Sequence, residues 1–335
     1  MGAAEDALIG PEDDNFHPPS DDPWETETCW FAFCVPERSM MGYLYTWIRP
    51  NLGIAGGGAL VWDDTAFVPW EVPFFDYNRS LPLPEGLDLR DCLLPTGMRV
   101  KAIEPLTSYE LGYRYPFGDL FEAELRFDGL TPPHVFTRGE PPFSIASHID
   151  QPGRVTGHIR LHGEHIDVDC YAMRDRSWGP RPDLRGFRIG YSFGTASDRS
   201  AFLCYSLPTD ARVPQPSPTD SASSPTGKSP GDDPISAGYY LRDEVRADIT
   251  GGRRRVERHP DHGYAIRFEI EAVDELGREL HAVGTPVSRI VFDPYPKMLS
   301  WISTTAWDFD GATGWGEDQD CWRPDQWSRF RRTPR

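Results

Sequence analysis

Lysine is nearly missing from this chain, which has only Lys101, Lys228 and Lys297 in 335 residues. Its cation sites are therefore almost all guanidinium groups, which make planar, bidentate contacts. Net basic charge is also lacking. A formal charge of -18 excludes the electrostatic footprint of a nucleic-acid binder and disfavours docking on anionic lipid. The six cysteines, at 29, 34, 92, 170, 204 and 321, form no Cys-x-x-Cys pair and no zinc-finger spacing. Cys170 and Cys204 lie in apolar strand patterns, which reads as buried free thiols. No apolar run approaches the length of a membrane span, and residues 1–22 show neither a basic nor an apolar signal region. The expectation is a cytoplasmic protein with reduced cysteines and no stable membrane insertion. Convincing helical windows are absent too. With 31 Gly, 33 Pro and 13% aromatic residues, the composition suits pleated surfaces and predicts an all-β protein.

Residues 1–23 are acidic and Pro-containing, and read as a mobile leader. From Trp24 onward, short apolar and aromatic runs alternate with turn residues. Gly56-Gly57-Gly58 precedes Ala59-Leu60-Val61-Trp62 without the Lys-Ser/Thr of a phosphate loop, so a closely approached strand is the better reading. Residues 69–98 are Pro-rich and are expected to form an arm or lid. Phe121, Ala123, Leu125 and Phe127 alternate with Glu122, Glu124 and Arg126 in a half-buried antiparallel strand. Strands about ten residues apart with Gly/Pro punctuation indicate barrels or sandwiches. The expected division is a first β domain at 24–181, a second at 182–323 with a disordered excursion at 208–236, and a basic tail at 324–335.

The unusual chemistry is concentrated in residues 158–181. Ile166, Val168, Cys170 and Ala172 alternate with His165, Asp167, Asp169 and Tyr171, and the strand then runs into Arg174-Asp175-Arg176-Ser177-Trp178-Gly179-Pro180-Arg181. In one reading Asp175 is an acid or base beside an apolar pocket, with Arg174 and Arg176 fixing it and Trp178 forming a wall. In the other, Arg174 or Arg176 pairs with Asp175 as an interdomain clamp and Trp178 plugs a barrel floor. The two weigh about evenly. Glu317 is the alternative acid because neither neighbour is cationic, although an exposed acidic turn better explains Glu317, Asp318 and Asp320. His148, Asp150, His162, His165, Asp167 and Asp169 are the richest set of candidate metal ligands, but a solvent-facing strand accounts for them without a metal. Gly190-Tyr191-Ser192-Phe193-Gly194 matches a hydrolase pattern but lacks the following helix.

His148-Ile149-Asp150-Gln151, Gly153-Arg154-Val155-Thr156-Gly157, the 173–181 segment and Gly314-Trp315-Gly316-Glu317-Asp318 together resemble a bacterial family placed near carotenoid hydratase (hydroxyneurosporene synthase) and AttH-like proteins. The resemblance implies two consecutive lipocalin-like antiparallel β-barrel domains side by side, a cavity for an apolar ligand, and the Asp-x-x-Trp segment near their junction. The hydratase carries a His between that Asp and Trp, where this chain has Arg176 and Ser177.

The expected protein holds an apolar small molecule, isoprenoid-, steroid- or polyketide-like, in a barrel pocket lined by Trp178, Tyr171, Trp315 and Trp62. As an enzyme it would be a lyase (hydratase-like) or an isomerase/cyclase, working through Asp175, Arg174, Arg176, Glu317 and His148 with no metal or cofactor. The alternatives are a non-catalytic carrier of such a ligand and a structural module.

Overall fold

The computed structural model describes residues 9–136, 146–182, 188–208 and 232–332. Most of the expected excursion, 209–231, lies outside them, and positions 232–236 begin a strand instead. The strands form two antiparallel assemblies. The first comprises β1 (Glu25–Val35), β2 (Met40–Arg49), β3 (Ile54–Trp62), β4 (Phe74–Pro82), β5 (Asp91–Leu93), β6 (Met98–Glu104), β7 (Ser108–Arg114), β8 (Phe121–Gly129), β9 (His134–Phe136), β10 (Ser147–Leu161) and β11 (Glu164–Pro180). They pair in the order β4-β3-β2-β1-β11-β10-β8-β7-β6-β5, with β9 on β10. The second is a closed barrel of β12 (Ile189–Ser197), β13 (Ser200–Ser206), β14 (Asp232–Arg242), β15 (Val245–Arg258), β16 (Ala265–Asp274), β17 (Glu279–Phe292), β18 (Leu299–Phe309) and β19 (Ala312–Trp322), paired in sequence order. The all-β expectation holds.

The first sheet curls into a half-barrel. Strands β11 and β7 are three places apart in the order, roughly 14 Å in a flat sheet. Yet the Arg174 guanidinium of β11 sits 4.2 Å from the Tyr109 ring centre of β7. Phe31 of β1 likewise meets Tyr109 and Phe127, each at 5.5 Å. The triple glycine lies in β3. Gly58 has φ +151°, and a Cβ there would collide with the Asp76 carbonyl oxygen of β4, which is the close approach expected.

Three expectations are corrected. The region 69–98 contributes β4 and β5 rather than forming only an arm, because Phe74 packs on Phe121 at 4.8 Å. Within the expected leader, residues 11–14 form a turn that buries Asp14 against Arg174 at 2.8 Å. A buried guanidinium there needs a counter-charge, and this segment supplies it. The expected basic tail forms α1 (Pro324–Arg332), whose Trp327 and Phe330 each pack 5.2 Å from Trp322. Such a short helix is marginal alone and draws its stability from that packing.

Among the described residues, buried side chains occupy both interiors. The half-barrel holds Phe31, Tyr109, Phe127 and the Arg174–Asp14 pair. At one end of the closed barrel Phe202 packs on Trp307 at 5.1 Å. At the other, Arg254 reaches Asp318 and Asp233, and Arg188 and Arg258 hold Asp320 at 2.8 and 2.6 Å. No helix of the described residues is long and apolar enough to cross a membrane.

Candidate functional site

The two assemblies meet through their outer walls, and the site lies there. On β1, Trp30 alternates with Phe31 and faces the other way, 6.2 Å from Tyr191 and 6.3 Å from Phe193 of β12. On β19, Asp318 and Asp320 point into the barrel, whereas Glu317 points out to accept the Tyr43 hydroxyl. Between these walls is a cavity of about 140 Å³. Trp30, Tyr43 and Tyr45 line it from the first sheet, and Tyr191, Tyr205 and Tyr295 from the second assembly. Asp175, His148 and Arg181 supply its charged groups.

Strand alternation decides the geometry of the 174–181 segment. Arg174 and Arg176 point into the half-barrel, where Arg174 pairs with Asp14 and Arg176 with Glu27, each at 2.8 Å. Asp175 points to the opposite side, toward the cavity. Adjacent in sequence, the two arginines are on the wrong face to clamp or fix Asp175, and both of those expectations are corrected. Trp178 shares the arginine face and stacks on His17 at 4.3 Å, so it forms no cavity wall. Trp62 is fully buried behind Tyr43, with ring centres 4.9 Å apart. Tyr171 and Trp315 are also away from the lining. The pocket is thus built by other aromatics, and it lies between the assemblies rather than in a barrel lumen.

Asp175 meets a different partner. In the β10–β11 register Asp150 lies directly opposite Asp175, and His148 lies opposite Ser177. Two carboxylates facing each other across an antiparallel pair repel. His148 relieves this, its Nε2 lying 2.9 Å from Asp175 Oδ2 and 3.0 Å from Asp150 Oδ2. Burial opposes the charged imidazole, but Asp175 and Asp150 outweigh it and raise the His148 pKa to about 9. Asp150 is fully buried, and accepts hydrogen bonds from the Tyr191 hydroxyl at 2.8 Å and the Tyr205 hydroxyl at 2.9 Å. Burial pushes its carboxyl up against the pull of His148. The Tyr205 hydroxyl also lies 2.8 Å from His148 Nε2. These ligand atoms of His148, Asp150 and Asp175 fall within 4.8 Å of one another, so the three could also hold a small cation. Of the remaining candidate ligands, His165 and Asp167 pair 3.1 Å apart and Asp169 pairs with Arg154 at 2.8 Å, all on an exposed strand face; His162 instead bonds the Pro73 carbonyl at 2.8 Å.

Glu317 sits on the far side of Tyr43. It is fully buried with no ion pair among the described residues, and Gln319 donates to its Oε1 at 2.7 Å. Burial pushes its carboxyl up to about 8. The expected exposed acidic turn is corrected: Glu317, Asp318 and Asp320 are all buried strand residues. Ser192 of the hydrolase-like pattern points into the barrel and donates to Asp318 at 2.6 Å, with β12 running on to Ser197.

Nothing in the sequence pattern singles out Tyr43, Tyr45, Tyr205 or Tyr295, and Arg181 and Tyr191 stand in noted motifs without being marked as site residues. The usable signal is the run of polar residues, His148 and Asp150, on a strand that also carries Ile149 and Val155 in the core.

Residues 10–322 match the model of the family described as "Domain of unknown function (DUF7064)", and the chain belongs to that family. None of the curated proteins matches the sequence. Among solved structures, the chain is similar to a Nitrosomonas europaea protein provisionally described as AttH, with a TM-score of 0.56 and 15% identity over 93% of this chain and 96% of that one. It is also similar to CghA in complex with Sch210972, with a TM-score of 0.52 and 11% identity over 90% and 89% of the two chains. These likenesses identify the fold, a pair of lipocalin-like β assemblies covering nearly the whole of each chain.

Proposed function

We propose that the cavity between the two assemblies is the active site of an enzyme that carries out acid–base chemistry on an apolar small molecule: addition or elimination of water, isomerisation or cyclisation. The observation that carries this reading is the contact of Asp175 with His148 at the edge of an aromatic-lined cavity, with Asp150 behind it. The Asp175 carboxylate is the base and keeps the proton it collects, and the imidazolium of His148 holds it in place by donating to it. Asp150 acts by positioning His148, and its own oxygens are occupied by two tyrosines. Behind the lining Tyr43, whose hydroxyl it accepts, a neutral Glu317 backs Tyr43 as the proton source, so the two carboxyl groups are biased toward opposite roles. The sequence resemblance to the carotenoid hydratase and AttH-like group supports a hydratase- or cyclase-type reaction, and the CghA fold binds Sch210972 in its own structure. A volume near 140 Å³ suits one ring of a ligand, comparable to cavities that admit benzene.

Native mass spectrometry of the purified protein and of Asp175→Asn, each incubated with the same cell extract, with chromatography of the released ligand to separate isomers, tests the reading. The variant is expected to retain a ligand that the wild type converts to a species isomeric with it or differing by one water. If both return the same ligand unchanged, the protein is a carrier.

A further inference from the structure

Arg181 is half-buried, and its setting is unlike that of the buried Arg174, Arg176, Arg188 and Arg254. Arg174, Arg176, Arg188 and Arg254 each contact a carboxylate, whereas among the described residues Arg181 has no carboxylate within ion-pair distance. Its guanidinium donates instead to the Tyr295 hydroxyl at 3.1 Å and to Ser177 Oγ, and lies 5.5 Å from the Tyr295 ring centre. The Tyr295 hydroxyl is in turn bonded to that of Tyr45, and all three side chains line the cavity. A guanidinium that holds only neutral oxygens keeps donor capacity for another acceptor. Ser177 is two residues from Asp175 on the same strand face, a repeat of roughly 7 Å. The cavity therefore carries a cationic donor group at one place and a carboxylate about one ring width away.

The charges say what kind of acceptor fits. Asp175 lines the cavity itself, and Asp150 stands behind it with His148 in contact with both. An anionic ligand would add to that negative charge, whereas a neutral oxygen would not.

We propose, building on the acid–base reading above, that the substrate is a neutral carbonyl compound whose oxygen is held by Arg181 and Tyr295, with an α-hydrogen facing Asp175. As an Asp175 oxygen takes that proton, the C–H electron pair forms the carbon–carbon double bond and the carbonyl π pair moves onto oxygen. The resulting enolate is held by the guanidinium and the phenol hydroxyl. Return of the proton at another carbon is isomerisation. Expulsion of a β-hydroxyl, protonated from the Tyr43–Glu317 side, is loss of water.

Acetophenone and ethylbenzene differ in the carbonyl oxygen and match the cavity in size. Ligand-observed NMR on the full chain is expected to show acetophenone binding roughly tenfold or more tightly than ethylbenzene. Arg181→Met is expected to abolish that preference while leaving ethylbenzene binding in place. In D2O the wild type is expected to exchange the acetophenone methyl hydrogens, and Asp175→Asn to lose this activity. Equal binding of the two probes by the wild type overturns the proposal without any variant, and leaves the cavity reading intact. Benzoate binding more tightly than acetophenone also overturns it, since the ligand would then be an acid. Acetophenone bound with preference but without methyl exchange removes the enolate step. If neither ring binds, the cavity reading falls together with this one.

Discussion

His148 Nε2 lies 2.9 Å from Asp175 Oδ2, diagonally across the β10–β11 pair, and this contact separates two carboxylates that would otherwise face each other unscreened. The histidine is buried, and its pKa is raised from 6.5 to about 9. A raised folded-state pKa contributes stability that is fully present below the unfolded value and is lost as pH rises through the folded one.

His148→Gln is therefore expected to be less stable than the wild type by about 3 kcal/mol near pH 6, from the size of the shift. The difference should shrink between about pH 6.5 and pH 9. Urea denaturation at several pH values measures it. A penalty that does not change with pH would mean that packing, not the imidazolium charge, holds the site.

Glu317 runs in the same direction for a different reason. Burial raises its carboxyl from 4.5 to about 8, so the folded state keeps a proton that the unfolded chain loses. Stability attributable to this group is complete below about pH 4.5 and falls as pH rises toward 8. Glu317→Gln replaces the neutral acid with a neutral amide of similar shape and removes this pH dependence. The variant is expected to gain on the wild type progressively across that range, by a few kcal/mol at its upper end. Thermal unfolding at paired pH values checks it, and a constant difference would place the carboxyl in a polar setting.

Much of the fold and part of the site are legible in the sequence. The alternation around Phe121 and along 164–172 identifies strands because one face is wet. The same period of two also contains the separation of Asp175 from Arg174 and Arg176, since neighbours on a strand point to opposite sides. Which side faces what is not legible there, because β1 and β2 are buried on both faces and offer no polar–apolar contrast. Trp30 and Tyr43 therefore look like any core residue until the second assembly is placed against them. Asp14 is hidden for another reason: its acidic, Pro-containing surroundings match a solvated segment, and its burial is accounted for by distant partners, Arg174 and Tyr109.

That pair makes a prediction of its own. Arg174 and Asp14 are 1% and 2% exposed at their side chains, and Asp14 also accepts the Tyr109 hydroxyl at 2.6 Å. Asp14→Ala leaves a buried guanidinium without its counter-charge, at an expected cost of about 3–5 kcal/mol. Asp14→Ala combined with Arg174→Met should recover much of that loss. Urea midpoints for the wild type, the two single variants and the double variant form the cycle. If the single variant loses less than about 1 kcal/mol, the N-terminal segment is not holding the half-barrel closed.

The closed barrel offers the sharper case, because its Arg254–Asp318 pair is more deeply buried than Arg174 and Asp14. Arg254 donates through Nε and Nη2 to the two oxygens of Asp318, at 2.8 and 2.5 Å, and through Nη1 to Asp233 at 3.0 Å. Arg254 and Asp318 are both 0% exposed at their side chains. Bidentate pairing of this kind compensates desolvation only while both partners remain. Arg254→Met leaves two carboxylates near Asp320 without their shared cation, and is expected to cost more than the Asp14 change, upward of about 4 kcal/mol. Asp318→Asn keeps the shape and hydrogen-bonding capacity and should cost less. Because this network points away from the cavity, binding of a single-ring probe to Asp318→Asn is expected to match the wild type at temperatures where both are folded. Lost binding in a folded Asp318→Asn would show that the barrel interior and the cavity wall are coupled through β19.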